Sequence, residues 1–272
     1  MLKIKKIGHS GTLDPDATGV LLILIQKATK ALPYLQDHDK SYHATMYLGK
    51  TTDTYDAGGK VTSESDAIVS DEQISETILH FIGKQKQLPP MYSAKKVDGK
   101  KLYELARKGI EVERKPSDIE IYGISIEEIS FPRVSFSVDC SEGTYIRSLI
   151  HDMGQQLGCG AYMESLRRTK ASGYLLKDAH TLEEIQKSCD DGSVSDLIIP
   201  LCDLFPYKKY VCDPSADTLL NNGNSIDLKL VSDSDAKEGE YLRLLRSDGA
   251  FVGIYRRDHS VLRLEKFFLE EP

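Results

Sequence analysis

The chain has 272 residues, 40% of them hydrophobic and 28% charged, with 20 glycines and 10 prolines. That composition is too apolar for a disordered chain and too mixed for a fibre, and it fits one large domain or a large domain plus a small one. The net charge of −7 argues at face value against an anionic partner, and the longest apolar run, Gly19 to Ile25, falls short of the roughly 20 residues of a membrane-crossing helix.

The opening lysines have no apolar stretch behind them, so the start does not read as a signal peptide. Five cysteines, Cys140, Cys159, Cys189, Cys202 and Cys212, are scattered with no C-x-x-C pair. Neither a zinc ribbon nor a disulfide framework is encoded, and a reducing cytoplasm with thiols as small apolar fillers is the expectation. The charge is unevenly spread. Residues 178–272 hold 11 basic and 19 acidic residues, whereas 1–177 hold 24 and 23. Within the first part, Lys84 to Pro116 carries 10 basic and four acidic residues. Screening confines each field to about 8–10 Å, so a local excess of this kind can attract phosphates on an acidic protein. On charge alone a solvated face remains the stronger reading.

In chain order, a buried strand is expected near Gly19–Gln26 and a helix over Ala28–Gln36. A strand follows at Tyr42–Leu48, then a turn at Asp56-Ala57-Gly58-Gly59. Ile74, Ile78, Leu79 and Ile82 give Glu72–Ile82 the spacing of an amphipathic helix. Lys101–Lys108 reads as a further helix closed by Gly109. Strands at Ile119–Glu128 and Val134–Cys140 precede a helix from Ile146 to Leu157. The tail from Tyr207 is β-like, with a hairpin signal at Ser247-Asp248-Gly249. Pro200, Asp203 and Pro206 interrupt the periodicity, which sets an α+β main domain over 1–200 and a small β domain over 201–272.

The densest segment is Gly8-His9-Ser10-Gly11-Thr12-Leu13-Asp14-Pro15-Asp16-Ala17-Thr18-Gly19. Its glycines let backbone approach a ligand closely, but it lacks the Lys-Ser/Thr pair of a phosphate-binding P-loop. Taken alone, Asp14-Pro15 is more often a helix N-cap than a catalytic group. In Gly143-Thr144-Tyr145-Ile146-Arg147, an arginine in the first turn of a helix opposes the dipole, which hints at a carboxylate partner in space; a solvated rim arginine is an equal alternative. Tyr42 in Lys40-Ser41-Tyr42 reads as strand packing, and Arg167-Arg168 as either phosphate ligands or a surface ion pair.

Together these segments resemble the bacterial TruB-type tRNA pseudouridine-55 synthases. The resemblance runs from Gly8 through Pro15 and Ala17-Thr18-Gly19-Val20-Leu21 to Ala28-Thr29-Lys30. It continues at Lys40-Ser41-Tyr42 and at Leu48-Gly49-Lys50-Thr51-Thr52-Asp53-Thr54-Tyr55-Asp56. Pro90-Met91-Tyr92-Ser93-Ala94-Lys95-Lys96 with Gly99-Lys100-Lys101-Leu102-Tyr103 follows, then Gly143 to Arg147 and Leu166-Arg167-Arg168-Thr169. It covers about residues 3 to 180.

The resemblance implies an α+β pseudouridine synthase fold with a mixed central sheet, a lysine-rich tRNA-gripping insertion at about 84–116, and a PUA-like C-terminal β domain. It implies isomerisation of a tRNA T-loop uridine: the C1′–N1 bond breaks, the base turns, and a C1′–C5 bond forms. Nothing is oxidised and no group leaves, so neither metal nor cofactor is expected. Asp14 corresponds to the catalytic carboxylate, Arg147 to its arginine partner, and Tyr42 to a pocket tyrosine whose phenol could assist proton removal from C5. His9, Lys30, Tyr145 and Leu166 correspond to substrate-binding positions. Lys95, Lys96, Lys100 and Lys101 would meet the T-stem-loop phosphates and offset the cost of extracting the base. The expected state is a cytoplasmic monomer that spans no membrane.

Three departures stand out. The family's leader with a Lys-Pro-x-Gly segment is not found ahead of the motif, which leaves an impaired tRNA-binding or tRNA-folding protein as the alternative expectation. Asp16 replaces an apolar residue, and Gln26 a frequent glycine.

Overall fold

The computed structural model describes residues 2, 4–35, 37–97, 99–232 and 235–269. Its chain forms two compact units, one of residues 10–22 and 37–179, the other of 1–9, 23–36 and 180–272. The division therefore falls elsewhere than the cut near residue 200 drawn from the sequence. Strands Ile7–His9 and Ile23–Ile25 pair with each other, and Ala31 is buried in one cluster with Phe205, Ile254 and Phe268. Early chain thus belongs with late chain, which a linear reading does not register.

The unit of residues 10–22 and 37–179 is built on a seven-stranded sheet. Its order is Tyr174–Leu175, Ala161–Ala171, Lys40–Leu48, Arg133–Cys140, Ser117–Ser130 and Gly83–Gln87, all antiparallel. Thr18–Gly19 adds the single parallel pairing, against Arg167 and Arg168. Period-two alternation shapes the centre: Tyr42, Ala44, Met46 and Leu48 are buried, as are Val134, Phe136, Val138 and Cys140 on the next strand. Two helices cover that face. Asp71–His80 begins at a capping box in which Ser70 Oγ accepts from the Gln73 amide and Gln73 Oε1 from the Ser70 amide. It buries Ile74 and Ile78, while Ile146–Leu157 buries Ile146, Leu149, Ile150 and Met153, all in one core.

The apolar run after Gly19 is not one strand. Thr18–Gly19 joins the main sheet, and Ile23–Ile25 pairs with Ile7–His9 in the other unit. Hydrophobicity shows that the run is to be buried but not against what. The helix expected over 28–36 is instead two 3₁₀ turns, Gln26–Lys30 and Leu32–Tyr34, since Pro33 withholds the amide a longer helix needs. Helix Leu102–Ala106 is also shorter than expected, whereas Ile146–Leu157 matches its expected ends.

The other unit carries a five-stranded sheet ordered Lys208–Val211, Tyr241–Leu245, Phe251–Asp258, Val261–Phe267 and Ile226–Asp227. Its core gathers Leu220, Ile226, Leu242, Leu244, Val252, Tyr255 and Leu262. Cys140, Cys159 and Cys212 are buried and Cys189 and Cys202 half-buried, all as free thiols. Among the described residues no helix is long and apolar enough to cross a membrane.

Gly154 shows how closely helix meets sheet. A Cβ there would lie 2.2 Å from the Ala161 amide nitrogen and 2.5 Å from the Ala161 Cβ. Helix propensity alone favours alanine by about 1 kcal/mol, but overpacking costs about 1–3 kcal/mol, and here the obstruction is backbone. Gly154→Ala is expected to lower the unfolding free energy by about 1–2 kcal/mol, read as a lower denaturation midpoint; an unchanged or raised midpoint would contradict this packing.

Candidate active site

Asp14 lies in the loop between Ser10 and Ala17, outside any helix. The N-cap role open to it in the sequence is not taken up; its own carbonyl closes a turn with the Ala17 amide, and its side chain reaches elsewhere. Arg147, two residues into the helix Ile146–Leu157, places Nε 2.8 Å from Asp14 Oδ2 and Nη2 2.9 Å from Asp14 Oδ1. This is a two-point guanidinium–carboxylate contact of the strong, orienting kind.

Arg147 is only 5% exposed, so each donor needs an acceptor. Nη2 also donates to the Tyr92 carbonyl at 2.8 Å and Nη1 to the Thr54 carbonyl at 3.2 Å. A second carboxylate, Asp56, stands 3.4 Å from Nη1. Asp56 is fixed in turn: its Oδ1 accepts from Thr54 Oγ1 and from the Gly58 amide. The sequence motif contained Asp56 without giving it a role. Its signal was a carboxylate in a glycine-flanked turn, a pattern that also serves purely local turn bonding.

The helix that presents Arg147 is anchored at its start. Gln87, buried at the sheet edge, accepts from the Tyr145 amide at 2.8 Å and donates to the Tyr145 carbonyl at 3.0 Å. Ser148 Oγ donates to the Leu88 carbonyl. The anchoring directs the first turn of the helix, and with it the guanidinium, towards the 10–22 loop.

Burial pushes the Asp14 carboxyl above its ordinary value of 3.8; Arg147 opposes the shift, while the fields of Asp56 and Asp16 add to it. The Asp16 contribution has the sign expected for a second carboxylate nearby. Tyr42 is buried, and its phenol is pushed up to about 12, chiefly by burial, with the Arg168 guanidinium working against the rise. The rise favours the protonated phenol, a form that can donate a hydrogen bond.

Leu166, 8% exposed, shares the core with Tyr42, and both strands are in register through Arg168 opposite Tyr42 and Leu166 opposite Ala44. Tyr145 is half-buried at the helix start. Asp14, Arg147, Asp56, Tyr42, Tyr145 and Leu166 all fall in one unit. His9, exposed on its short strand, and Lys30, exposed at the end of a 3₁₀ turn, fall in the other.

The basic segment forms a small hairpin, Lys96–Val97 with Lys100–Lys101, leading into Leu102–Ala106. Lys96 and Lys100 are exposed. Lys95 differs: its Nζ donates to Ser117 Oγ at 2.6 Å. Lys101 and Arg107 both approach the Tyr103 ring, at 5.5 and 5.4 Å from its centroid.

Comparison with known proteins identifies the family. The model of the TruB family pseudouridylate synthase N-terminal domain matches residues 1–146, and that of the tRNA pseudouridylate synthase B C-terminal domain matches 147–204. The tRNA pseudouridine synthase B of Clostridium tetani is 40% identical over 269 residues, covering 98% of this chain and 91% of that protein. That of Clostridium novyi is 42% identical over 268 residues, with coverages of 98% and 91%. Among solved structures, a chain of a Cbf5-Nop10-Gar1 complex aligns with a TM-score of 0.69 at 25% identity, covering 98% of this chain and 78% of that one. A chain of an H/ACA RNP bound to a substrate RNA containing 2′-deoxyuridine aligns with the same TM-score at 23% identity, covering 99% and 78%. With family models spanning residues 1–204 and relatives matched along almost its whole length, the chain belongs to the TruB family of pseudouridylate synthases.

Proposed function

We propose that the protein converts uridine to pseudouridine in tRNA, at position 55 of the T-loop, with Asp14 as the reacting carboxylate. The observation that carries this reading is the two-point contact between Asp14 and the buried Arg147, in a chain of this family. The reaction is an isomerisation: the C1′–N1 bond breaks, the C1′–C5 bond forms, the C5 proton leaves and N1 ends protonated. It calls for an oriented, ionised carboxylate beside ribose and ring, and the fixed guanidinium holds one against the cost of burial.

The target base is enclosed in the folded T-loop, so it is extracted at a cost of a few kcal/mol. Tyr42, Tyr145 and Leu166 supply rings and an apolar side chain on which an extracted uracil can rest. His9 and Lys30 are assigned to RNA contacts, and the 84–116 segment to the phosphates of the T-stem. The PUA-like reading of the C-terminal sheet and a monomeric state belong to the same proposal.

Asp14→Asn is expected to bind tRNA within a few fold of the parent and to lower tritium release from 5-labelled uridine tRNA at least about a hundredfold. Retained turnover would end the assignment of Asp14. Binding with no release by the parent itself would point to the impaired RNA-binding alternative.

The raised Asp14 carboxyl sets a pH dependence. The ionised form is needed, so activity is lost as pH falls through a value above 3.8, and the acid limb of kcat/KM should lie there. A limb at or below the ordinary carboxylate value would show that Arg147 outweighs burial.

For the basic segment, Lys96→Ala with Lys100→Ala should weaken tRNA binding and flatten its salt dependence, by about 0.7–0.9 in slope for each phosphate no longer neutralised. Lys95→Ala should do less, because that ammonium already serves Ser117. An unchanged slope in both variants would mark the segment as a solvated face.

A further inference from the structure

Arg168 has entered the site so far only through its effect on the Tyr42 phenol. It lies on the strand Ala161–Ala171, is 1% exposed, and is among the largest fully buried side chains of the described residues. Its guanidinium pairs with no carboxylate among the described residues; besides a side-chain hydrogen bond with Tyr42, it turns to backbone. Nε donates to the Val20 carbonyl at 2.7 Å, Nη2 to the Gly11 carbonyl at 3.0 Å, and Nη1 more weakly to the Thr12 carbonyl at 3.5 Å.

The backbone of Arg168 grips the same loop. Its carbonyl accepts from the Val20 amide at 2.9 Å, and it stands opposite Gly19 in the parallel pairing. Strand and loop approach so closely that a Cβ on Gly19 would come within 2.1 Å of the Arg168 carbonyl oxygen. One residue therefore holds the loop at both ends, at 11–12 and at 19–20, with Asp14 between them.

A buried cation without a counter-charge is costly unless its donors are all engaged. A neutral apolar residue would fill the space without that cost. The fork of a guanidinium has what an apolar residue lacks: rigid, divergent donors that reach two points of the chain eight residues apart (Thr12 and Val20).

We infer that Arg168 is a positioning residue for catalysis: it clamps the ends of the 10–22 loop and so sets where Asp14 meets Arg147 and the substrate. The inference rests on Asp14 being the reacting group. The clamp leaves RNA affinity alone and acts on turnover, because a carboxylate displaced by about 1 Å can cost about a hundredfold in rate. A lysine keeps the charge but not the fork, and it satisfies one end of the loop at a time.

The test compares Arg168→Lys with Ile78→Ala, a core truncation in the same unit remote from the loop in sequence. Three readouts are taken: kcat by tritium release, Kd for tRNA, and hydrogen exchange of a peptide spanning 10–22. Arg168→Lys should lower kcat about a hundredfold, keep Kd within about threefold, and speed exchange in the 10–22 peptide about tenfold with little change in peptides from the 40–48 and 133–140 strands. Ile78→Ala should leave kcat and loop exchange as in the parent.

Unchanged exchange at 10–22 in Arg168→Lys overturns the clamp, and so does a kcat loss matched by Ile78→Ala. Should Arg168→Lys fail to fold, Gly19→Ala opens the same contact from the loop side; a displaced loop with full kcat then overturns the inference. If the parent releases no tritium, the proposed function fails, and the exchange data still decide whether Arg168 holds the loop.

Discussion

A guanidinium at 5% exposure, that of Arg147, is the constraint around which this site is arranged. Left unpaired it would be among the most expensive groups in the chain, and breaking a buried pair typically costs about 3–5 kcal/mol. Asp14 supplies two oxygens, Tyr92 and Thr54 supply carbonyls, and Asp56 adds a second charge. These partners come from three stretches far apart in the chain, so satisfying one cation also brings together the loop, the turn after Thr52 and the start of the basic segment. The carboxylate is thereby oriented before substrate arrives. Its two oxygens face a planar fork, which restricts rotation in a way a lysine would not.

Arg168 shows the contrasting use of the same side chain. Arg147 faces carboxylates and so carries part of the electrostatics of the site, opposing the rise that burial imposes on Asp14. Arg168 faces carbonyls, whose dipoles accept its donors without cancelling its charge. That residual charge is felt at Tyr42 and at Lys40, whose ammonium is lowered mainly by burial and further by Arg168. A positive field therefore underlies the sheet side of the loop, while the fields of Asp16 and Asp56 converge on Asp14.

Legibility in the sequence followed locality. The helix Ile146–Leu157 was readable to the residue because its apolar spacing and its closing glycine lie within one segment. The arginine in its first turn hinted at a carboxylate partner through a dipole argument that left a solvated rim arginine equally open, and the structure supplies two. The run after Gly19 was readable as buried but not as divided, because Val20 and Leu24 are both buried on chain that enters different units. Asp14 was ambiguous for the same reason: an Asp-Pro step suits a cap, and only a residue 133 positions away takes its side chain elsewhere. Asp56 was passed over because its bonds to Thr54 and Gly58 are those of any aspartate in a turn. Gln26 is the reverse case. It sits at a φ of 51°, a left-handed conformation that glycine adopts freely and other residues at a cost of about 1–2 kcal/mol, which accounts physically for glycine being frequent there.

The division of labour between Asp14 and Tyr42 follows from their surroundings. Both are pushed up by burial, but from different starting points and with different consequences. Asp14 starts at 3.8 and is raised, with a guanidinium in direct contact opposing the rise. Tyr42 starts at 10.0 and is pushed up to about 12, so burial favours its protonated form. It can pack a ring against a base and donate a hydrogen bond to an oxygen that gains charge. Each acid is thus buried beside its own arginine: Asp14 meets Arg147 at two points, and Tyr42 meets Arg168.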